Sequence, residues 1–460
     1  MHIGNLRSAL YAYLIAKSKN GKFILRIEDT DQARYIPGAE NVIYNTLKIS
    51  GLNFDEGPNI GGSFGPYIQS QRIEIYNKYA QKMIENNKAY YCFCPKKIHT
   101  DSNITHDFKC NCRNLPQAEI DLKLNNKTHV IRQKMPISGE TKFVDEVFGE
   151  IIIQNIELED QILVKSDKFP TYNFANVIDD HEMQISHIIR GSEYLSSTPK
   201  YNLIYEAFGW NIPKYIHLPL ILGKNDDGTT SKLSKRNGSI SFEDLINDGF
   251  LPEAVINYIS LLGWSPKDNR EIFSLKELER EFKIERIGKS AAVFDYSKLL
   301  WMNSEYIRSK STEEFSEIIS NFVDNKKYNV IIIAKILQSR ISRLSEILPK
   351  ISFLFDLPEF DVSLFFNKKS KTNETNVPEI IKNIINKFEK LNKKDWDHEN
   401  IYSNFLRISE LINIKSNAIM WTARISVTGM AVTPGGAVEI FEILGKNEVL
   451  RRLKISSHKF

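Results

Sequence analysis

Residues 2–31 read HIGNLRSALYAYLIAKSKNGKFILRIEDTD. The opening His2-Ile3-Gly4-Asn5 is a phosphate-handling turn of the kind that follows a strand and opens a helix. Backbone N–H groups at a helix N-terminus bind phosphate, glycine permits close approach, and an imidazole donates to phosphate oxygens. Over residues 5–18 the apolar positions Leu6, Leu10, Tyr13 and Leu14 recur at helical spacing, and Asn20-Gly21 supplies the stop. Phe23-Ile24-Leu25-Arg26-Ile27 then reads as a short buried strand ending in Glu28-Asp29-Thr30-Asp31. Carboxylates at the carboxyl end of a strand sit where open α/β sheets place ligands, although the same cluster also reads as a helix N-cap and turn. No strand precedes the opening turn, so the first piece of a nucleotide fold is expected to be missing.

Composition limits the rest. A chain of 460 residues with 42% hydrophobic and 26% charged residues has the makeup of a soluble multidomain protein. No run approaches the roughly 18 apolar residues that cross a bilayer, and charges interrupt residues 1–30 too often for a signal peptide. A cytoplasmic protein without membrane contact is expected. The net charge is only +4, but residues 301–460 carry 24 Lys+Arg against 19 Asp+Glu, while residues 1–300 carry 37 against 38. A basic tail suits a phosphate-backbone partner, and equally an ordinary lysine-rich surface.

The α/β pattern at the amino end gives way, near residue 68, to a helix around Arg72–Asn87, a Cys-rich stretch, and strand-like runs at Thr128–Lys134, Glu150–Ile153 and Gln161–Lys165. Residues 68–168 look like an insertion. The pattern resumes at Thr171–Asp180, Ile185–Arg190 and Tyr215–Leu222, before a turn-rich stretch that delivers Lys232-Leu233-Ser234-Lys235-Arg236 on what reads as a mobile loop. Beyond residue 240 the chain reads as helical, with Pro252 at a first helical position and a capping box at Ser274-Leu275-Lys276-Glu277. The polar stretch Asn367–Asn376 reads as a linker between two helical modules.

All four cysteines fall within 21 positions, as Cys92-Phe93-Cys94 and Cys110-Asn111-Cys112. In a reducing compartment two close thiol pairs point to a tetrahedral Zn²⁺ site rather than to disulfides; reduced thiols without metal are the other reading. His99 and His106 lie between the pairs, as a replacement ligand or as loop residues.

The order and spacing of His2-Ile3-Gly4-Asn5, Arg26-Ile27-Glu28-Asp29-Thr30-Asp31 and Lys232-Leu233-Ser234-Lys235-Arg236 resemble the class I aminoacyl-tRNA synthetases, and the acidic strand end narrows this to glutamyl-tRNA synthetase. Pro170–Asn176, Asp179-Asp180-His181, Ile189-Arg190-Gly191-Ser192-Glu193-Tyr194 and Leu262-Gly263-Trp264-Ser265 are similar to that family too. The resemblance implies an α/β, Rossmann-type catalytic domain over residues 1–67 and 169–225, without its first strand. It also implies an inserted acceptor-stem-binding domain at 68–168, a stem-contact domain at 226–308, and all-α anticodon-binding domains at 309–370 and 371–460. It implies ATP, with Mg²⁺, held by His2, Gly4, Lys232, Lys235 and Arg236, of which His2, Lys232 and Lys235 are catalytic. Glutamate would be held by Glu28 and Tyr172 at its ammonium and by Arg190, with Asn176, at its side chain. Cys92, Cys94, Cys110 and Cys112 would hold zinc. Arg340 and Arg343 are candidate anticodon contacts, or plain surface arginines.

The implied activity is ATP-dependent formation of glutamyl-adenylate and transfer of glutamate to the 3′ end of tRNA(Glu), by a monomer. Asn5 and Gly191-Ser192-Glu193-Tyr194 depart from the family, which more often has a second histidine and Gly-Glu-Asp-His. Family members also begin with a strand and turn resembling Arg-Phe-Ala-Pro-Ser-Pro-Thr-Gly, whose arginine and serine hold glutamate. These 460 residues alone are therefore expected to be unstable or inactive, with Met1 an internal methionine taken as the start, or the chain an amino-terminally truncated fragment. The alternatives are a tRNA-binding paralogue that no longer catalyses, and glutaminyl-tRNA synthetase, which the helical tail disfavours.

Overall fold

The computed structural model describes residues 1–31, 38–94, 110–225, 227–233 and 241–460. The apolar stripe of the opening stretch forms α1 (Ile3–Ser18), with Leu6, Leu10, Tyr13 and Leu14 all buried. Each such aliphatic side chain contributes about 1.5–3 kcal/mol. The helix ends as read, with Asn20 at φ 53° and the Gly21 N–H donating to Ala16 O at 2.7 Å. Buried Arg7 donates to the carbonyls of Pro219 and Leu262, and the Tyr11 hydroxyl donates to those of Ser260 and Leu262. The Leu262–Ser265 stretch thus anchors α1, and Trp264 is buried and stacked on Phe282.

The chain divides into two compact units, Met1–Glu243 with Ile256–Asp295, and Asp244–Val255 with Tyr296–Phe460. In the first, α2 (Ala39–Ile49) and α3 (Ile73–Glu85) precede β1 (Ala89–Cys92), α4 (Gln117–Asn126) and β2 (Val130–Gln133). The hairpin β3 (Glu140–Asp145) and β4 (Gly149–Gln154) leads to β5 (Ile162–Val164), α5 (Tyr172–Glu182), β6 (His187–Gly191), α6 (Thr198–Phe208) and β7 (Lys214–Leu218). Then come β8 (Ile221–Lys224), β9 (Thr230–Lys232) and, further on, β10 (Ala292–Val293). One sheet has the order β1-β2-β5, a second β10-β8-β9, and the third β4-β3-β7-β6, in which β3, β7 and β6 run parallel.

Three differences from the sequence reading have physical causes. β3 alternates exposed Glu140, Lys142 and Val144 with buried Thr141, Phe143 and Asp145, the period of a strand with one covered face. The hairpin it forms with β4 therefore joins the sheet of β6 and β7, although residues 68–168 read as an insertion. Phe23–Ile27 makes only single bridges, Ile24 with Glu56 and Ile27 with Ile68. No backbone hydrogen bond joins it to β6, and Ile24, Leu25, Ile188 and Ile189 are only half-buried along one cavity of 1020 Å³. One side of this segment faces the cavity and no neighbouring strand among the described residues pairs with it there, which leaves it half-buried. The turn-rich stretch before Lys232 is a hairpin, with the Asn225 N–H donating to Thr229 O at 2.8 Å.

The second unit is helical around one core that includes Phe315, Ile333, Leu337, Phe353, Ile384, Phe405, Ile419, Phe441 and Leu453. The capping box at Ser274 with Glu277, in the first unit, is present as read, and a second one opens the helix Thr312–Ile319 at Ser311 with Glu314. Residues 367–376 do not form an open linker: Asn367 and Thr372 bridge, Thr372 is buried, and side chains on both sides share the same core. Arg343 donates to Asp248 at 2.5 Å and to the Tyr296 hydroxyl at 3.0 Å, whereas Arg340 is exposed. Gly249 has φ +91°, and a Cβ there would meet the backbone N of Ser345 at 2.4 Å. Gly249→Ala should cost about 3 kcal/mol in denaturant unfolding, from left-handed backbone strain plus overpacking. Among the described residues no helix is long and apolar enough to cross a membrane.

Candidate active site

His2 is the N-cap of α1. Its Nδ1 accepts the Gly4 N–H at 2.9 Å, so the ring proton sits on Nε2 and remains available to a ligand. Burial, then the charge of Lys232 and the terminal amine, lowers the His2 pKa and keeps the ring neutral near pH 7. A Cβ at position 4 would lie 3.1 Å from His2 Nδ1. A side chain at position 4 would crowd the folded-back imidazole, which glycine leaves in place. Lys232 ends β9 and is exposed. Ser234, Lys235 and Arg236, like His99 and His106, lie outside the described residues.

One cavity of 1020 Å³ gathers Asn5, Glu28, Tyr172, Asn176 and Arg190. Arg190 is 9% exposed, stands opposite His217 in the β6–β7 register, and donates its Nε–H to His217 Nε2 at 3.1 Å and an Nη2–H to Thr198 Oγ1 at 2.8 Å. Tyr194, Tyr201 and Tyr215 present their rings to the guanidinium at 5.3, 4.6 and 5.3 Å. Tyr194 stands where the family more often has histidine, and here it is a wall of this aromatic box; Glu193 stays exposed. Among the described residues no carboxylate lies within ion-pair distance of Arg190. A guanidinium this buried, held by neutral acceptors and aromatic faces, has the chemistry to take an anion.

Glu28 pairs with Arg26 at 2.8 Å, and Arg26 also donates to Asp180 at 2.9 Å. Burial works against the Arg26 charge, yet Asp180, Glu28 and Asp179 together raise its pKa well above the ordinary value. Burial also raises the Tyr172 pKa, followed by the Glu28 charge, so the hydroxyl stays protonated. Asn176 is buried with its Oδ1 lacking a hydrogen-bond partner, an acceptor left over inside the cavity wall. Asp179 belongs to the scaffold: fully buried, it accepts from Gln69, Arg72 and Tyr76 and ties α5 to α3. His181 stacks on Trp210 with ring centroids 3.6 Å apart.

Sequence reasoning missed the residues that hold Arg190. Asp145 ends β3, His217 lies on β7, and Thr198 and Tyr201 share the first turn of α6, so local sequence spacing brings none of the three elements to Arg190. The signal within reach was the period-two alternation of residues 140–145, which places Asp145 on the buried face of a strand.

The four cysteines converge away from this cavity. Their sulfurs all lie within 4.8 Å of one another, with Cys92–Cys110 at 3.4 Å, Cys94–Cys110 at 3.7 Å and Cys94–Cys112 at 3.8 Å. A tetrahedral site with Zn–S near 2.3 Å has sulfur–sulfur edges of about 3.8 Å, so the donor set and its dimensions fit zinc. A hydrogen bond from Cys110 pulls the Cys92 thiol down to about 4, while burial pushes Cys94 up to about 11. No disulfide links any of the four.

A phosphate-type helix start, a cavity running along β6 to Arg190 and a helical second unit define a class I aminoacyl-tRNA synthetase. Residues 1–301 accordingly match the family "tRNA synthetases class I (E and Q), catalytic domain", and residues 302–456 match "Anticodon binding domain". The chain is 48% identical to a glutamate–tRNA ligase of Clostridium tetani and 47% identical to one of Clostridium novyi, each over all of this chain and 95% of the relative. A crystal structure of a glutamate–tRNA ligase from Elizabethkingia meningosepticum, in complex with its amino acid, superposes with a TM-score of 0.87 at 32% identity, covering 100% of this chain and 97% of that one. This chain belongs to the glutamate–tRNA ligase family.

Proposed function

We propose that this protein activates glutamate with ATP to glutamyl-adenylate and transfers the glutamyl group to the 3′ end of tRNA(Glu). The observation that carries the substrate assignment is Arg190, a buried cation in the cavity wall that has no ion-pair partner among the described residues. The side-chain carboxylate of glutamate supplies the missing charge, and the guanidinium fork binds it through two parallel hydrogen bonds. Glu28 and the Tyr172 hydroxyl take the ammonium, and Asn176 joins Arg190 at the side-chain end. At the start of α1 the Nε2–H of His2 donates to ATP phosphate, and in this reading Lys232, Lys235 and Arg236 stabilise the charge that builds as the α-phosphate is attacked. The attacking group is the α-carboxylate of glutamate, and pyrophosphate leaves. ATP enters as its Mg²⁺ complex.

In this reading residues 68–168 hold the acceptor stem, with Cys92, Cys94, Cys110 and Cys112 around a structural zinc. Residues 226–308 contact the stem, residues 309–370 and 371–460 read the anticodon, and the protein works as a cytoplasmic monomer. ATP consumption by the purified protein tests the substrate: it should require tRNA and glutamate, and glutamine should support none. Equal turnover with glutamine would refute the assignment.

A further inference from the structure

We infer that Asp145 and His217 are positioning residues that set how Arg190 selects its substrate, an inference that rests on the proposed reading of Arg190 as the glutamate carboxylate receptor. The three side chains lie in a row across adjacent parallel strands β3, β7 and β6, near their carboxyl ends. Asp145 and His217 have no exposed side-chain surface.

The hydrogen bonds leave one protonation pattern. Asp145 Oδ1 accepts the backbone N–H groups of Val147 at 2.9 Å and Phe148 at 2.8 Å, and Oδ2 accepts the backbone N–H of His217 at 3.0 Å. Oδ2 also lies 2.6 Å from His217 Nδ1. Burial opposes the charge on Asp145, but the hydrogen bond from His217 and the two backbone donors hold its carboxyl below the usual carboxylate range. Four donors thus surround an ionised carboxylate, and the proton between it and the imidazole belongs on Nδ1. At the far side of the ring, an arginine Nε–H can only donate. His217 Nε2 therefore presents its lone pair to Arg190, within 3.1 Å, and Thr198 Oγ1 takes the neighbouring Nη2.

This arrangement does something a carboxylate beside Arg190 would not. A neutral imidazole satisfies and orients Nε–H without cancelling the positive charge, so the full charge remains for the ligand. Asp145, one residue further out, pins the tautomer from a distance and leaves the guanidinium without an ion-pair partner. If the proton moved to Nε2, two donors would face each other and the guanidinium would swing away.

The prediction separates selection from stability. His217→Leu removes the acceptor and should raise KM for glutamate at least tenfold while KM for ATP stays within twofold. His217→Gln, which offers an amide oxygen to Arg190, should recover most of that loss. Asp145→Asn, which favours the wrong tautomer, should behave like His217→Leu. The wild-type imidazole supplies a readout that needs no variant: nitrogen-15 NMR at neutral pH should show Nδ1 protonated and Nε2 bare. A protonated Nε2 overturns the inference. So do variants that fold and keep KM for glutamate within twofold, or in which KM for glutamate and for ATP move in parallel. Wild-type protein whose turnover does not depend on glutamate fails the underlying reading of Arg190 instead, and is told apart by that control.

Discussion

Arg190→Gln should lower kcat/KM for glutamate roughly 30- to 5,000-fold while leaving the fold as stable as before, or more so. The first half follows from losing one partner of a buried, hydrogen-bonded charge pair, worth about 2–5 kcal/mol when the ligand carboxylate is left unmatched. The second half follows from the same geometry without ligand. Arg190 has hydrogen bonds to His217 and Thr198 and three tyrosine faces, but no carboxylate among the described residues. Desolvating the guanidinium therefore opposes folding, and a neutral amide whose nitrogen reaches the position of Nε removes that penalty. Steady-state kinetics and denaturant unfolding on one preparation test both halves. An arginine kept for structure would show the reverse pattern, with stability lost and kcat/KM preserved.

The second large effect concerns the cysteine cluster. Cys92 closes β1, Cys110 caps the short 3-10 turn Asn111–Asn114 that contains Cys112, and all three are buried with Tyr90 in a small cluster of their own. Four sulfurs at such separations offer a closed tetrahedral site, and zinc bound only to the folded form is folding free energy, about 10–16 kcal/mol apparent in small zinc-finger peptides. In a chain of this size the dependence should be local. Purified protein should carry about one zinc, and Cys110→Ser or chelation should lower the first unfolding transition by roughly 10 °C. Amide exchange should rise over residues 89–94 and 110–133, while β6 and β7 stay protected. A zinc-to-protein ratio near zero in a chelator-free preparation would contradict the site.

The opening helix, its apolar stripe and its stop were legible in the sequence because they depend on neighbours three and four residues apart. The Ser274 capping box was legible for the same reason. Residues 367–376 looked like a linker because asparagine and lysine dominate; asparagine side chains instead cap turns there, as where Asn373 accepts from Thr375 and Asn376. In the cavity, Glu28, Tyr172, Asn176 and Arg190 were named from motifs, and all four line it. What surrounds Arg190 was not legible. His217 lies within an apolar strand and Asp145 in a segment read as part of an insertion, and neither announces a partner until parallel pairing puts the strands side by side. Register over that distance is a property of the whole sheet, which local spacing does not encode.

Calorimetric titration of L-glutamate and L-glutamine into wild-type protein and into Arg190→Gln decides whether Arg190 reads the substrate carboxylate. Wild type should bind glutamate and show at least a hundredfold weaker affinity for glutamine, and Arg190→Gln should lose that preference. Glutamate binding unchanged by Arg190→Gln would contradict the account.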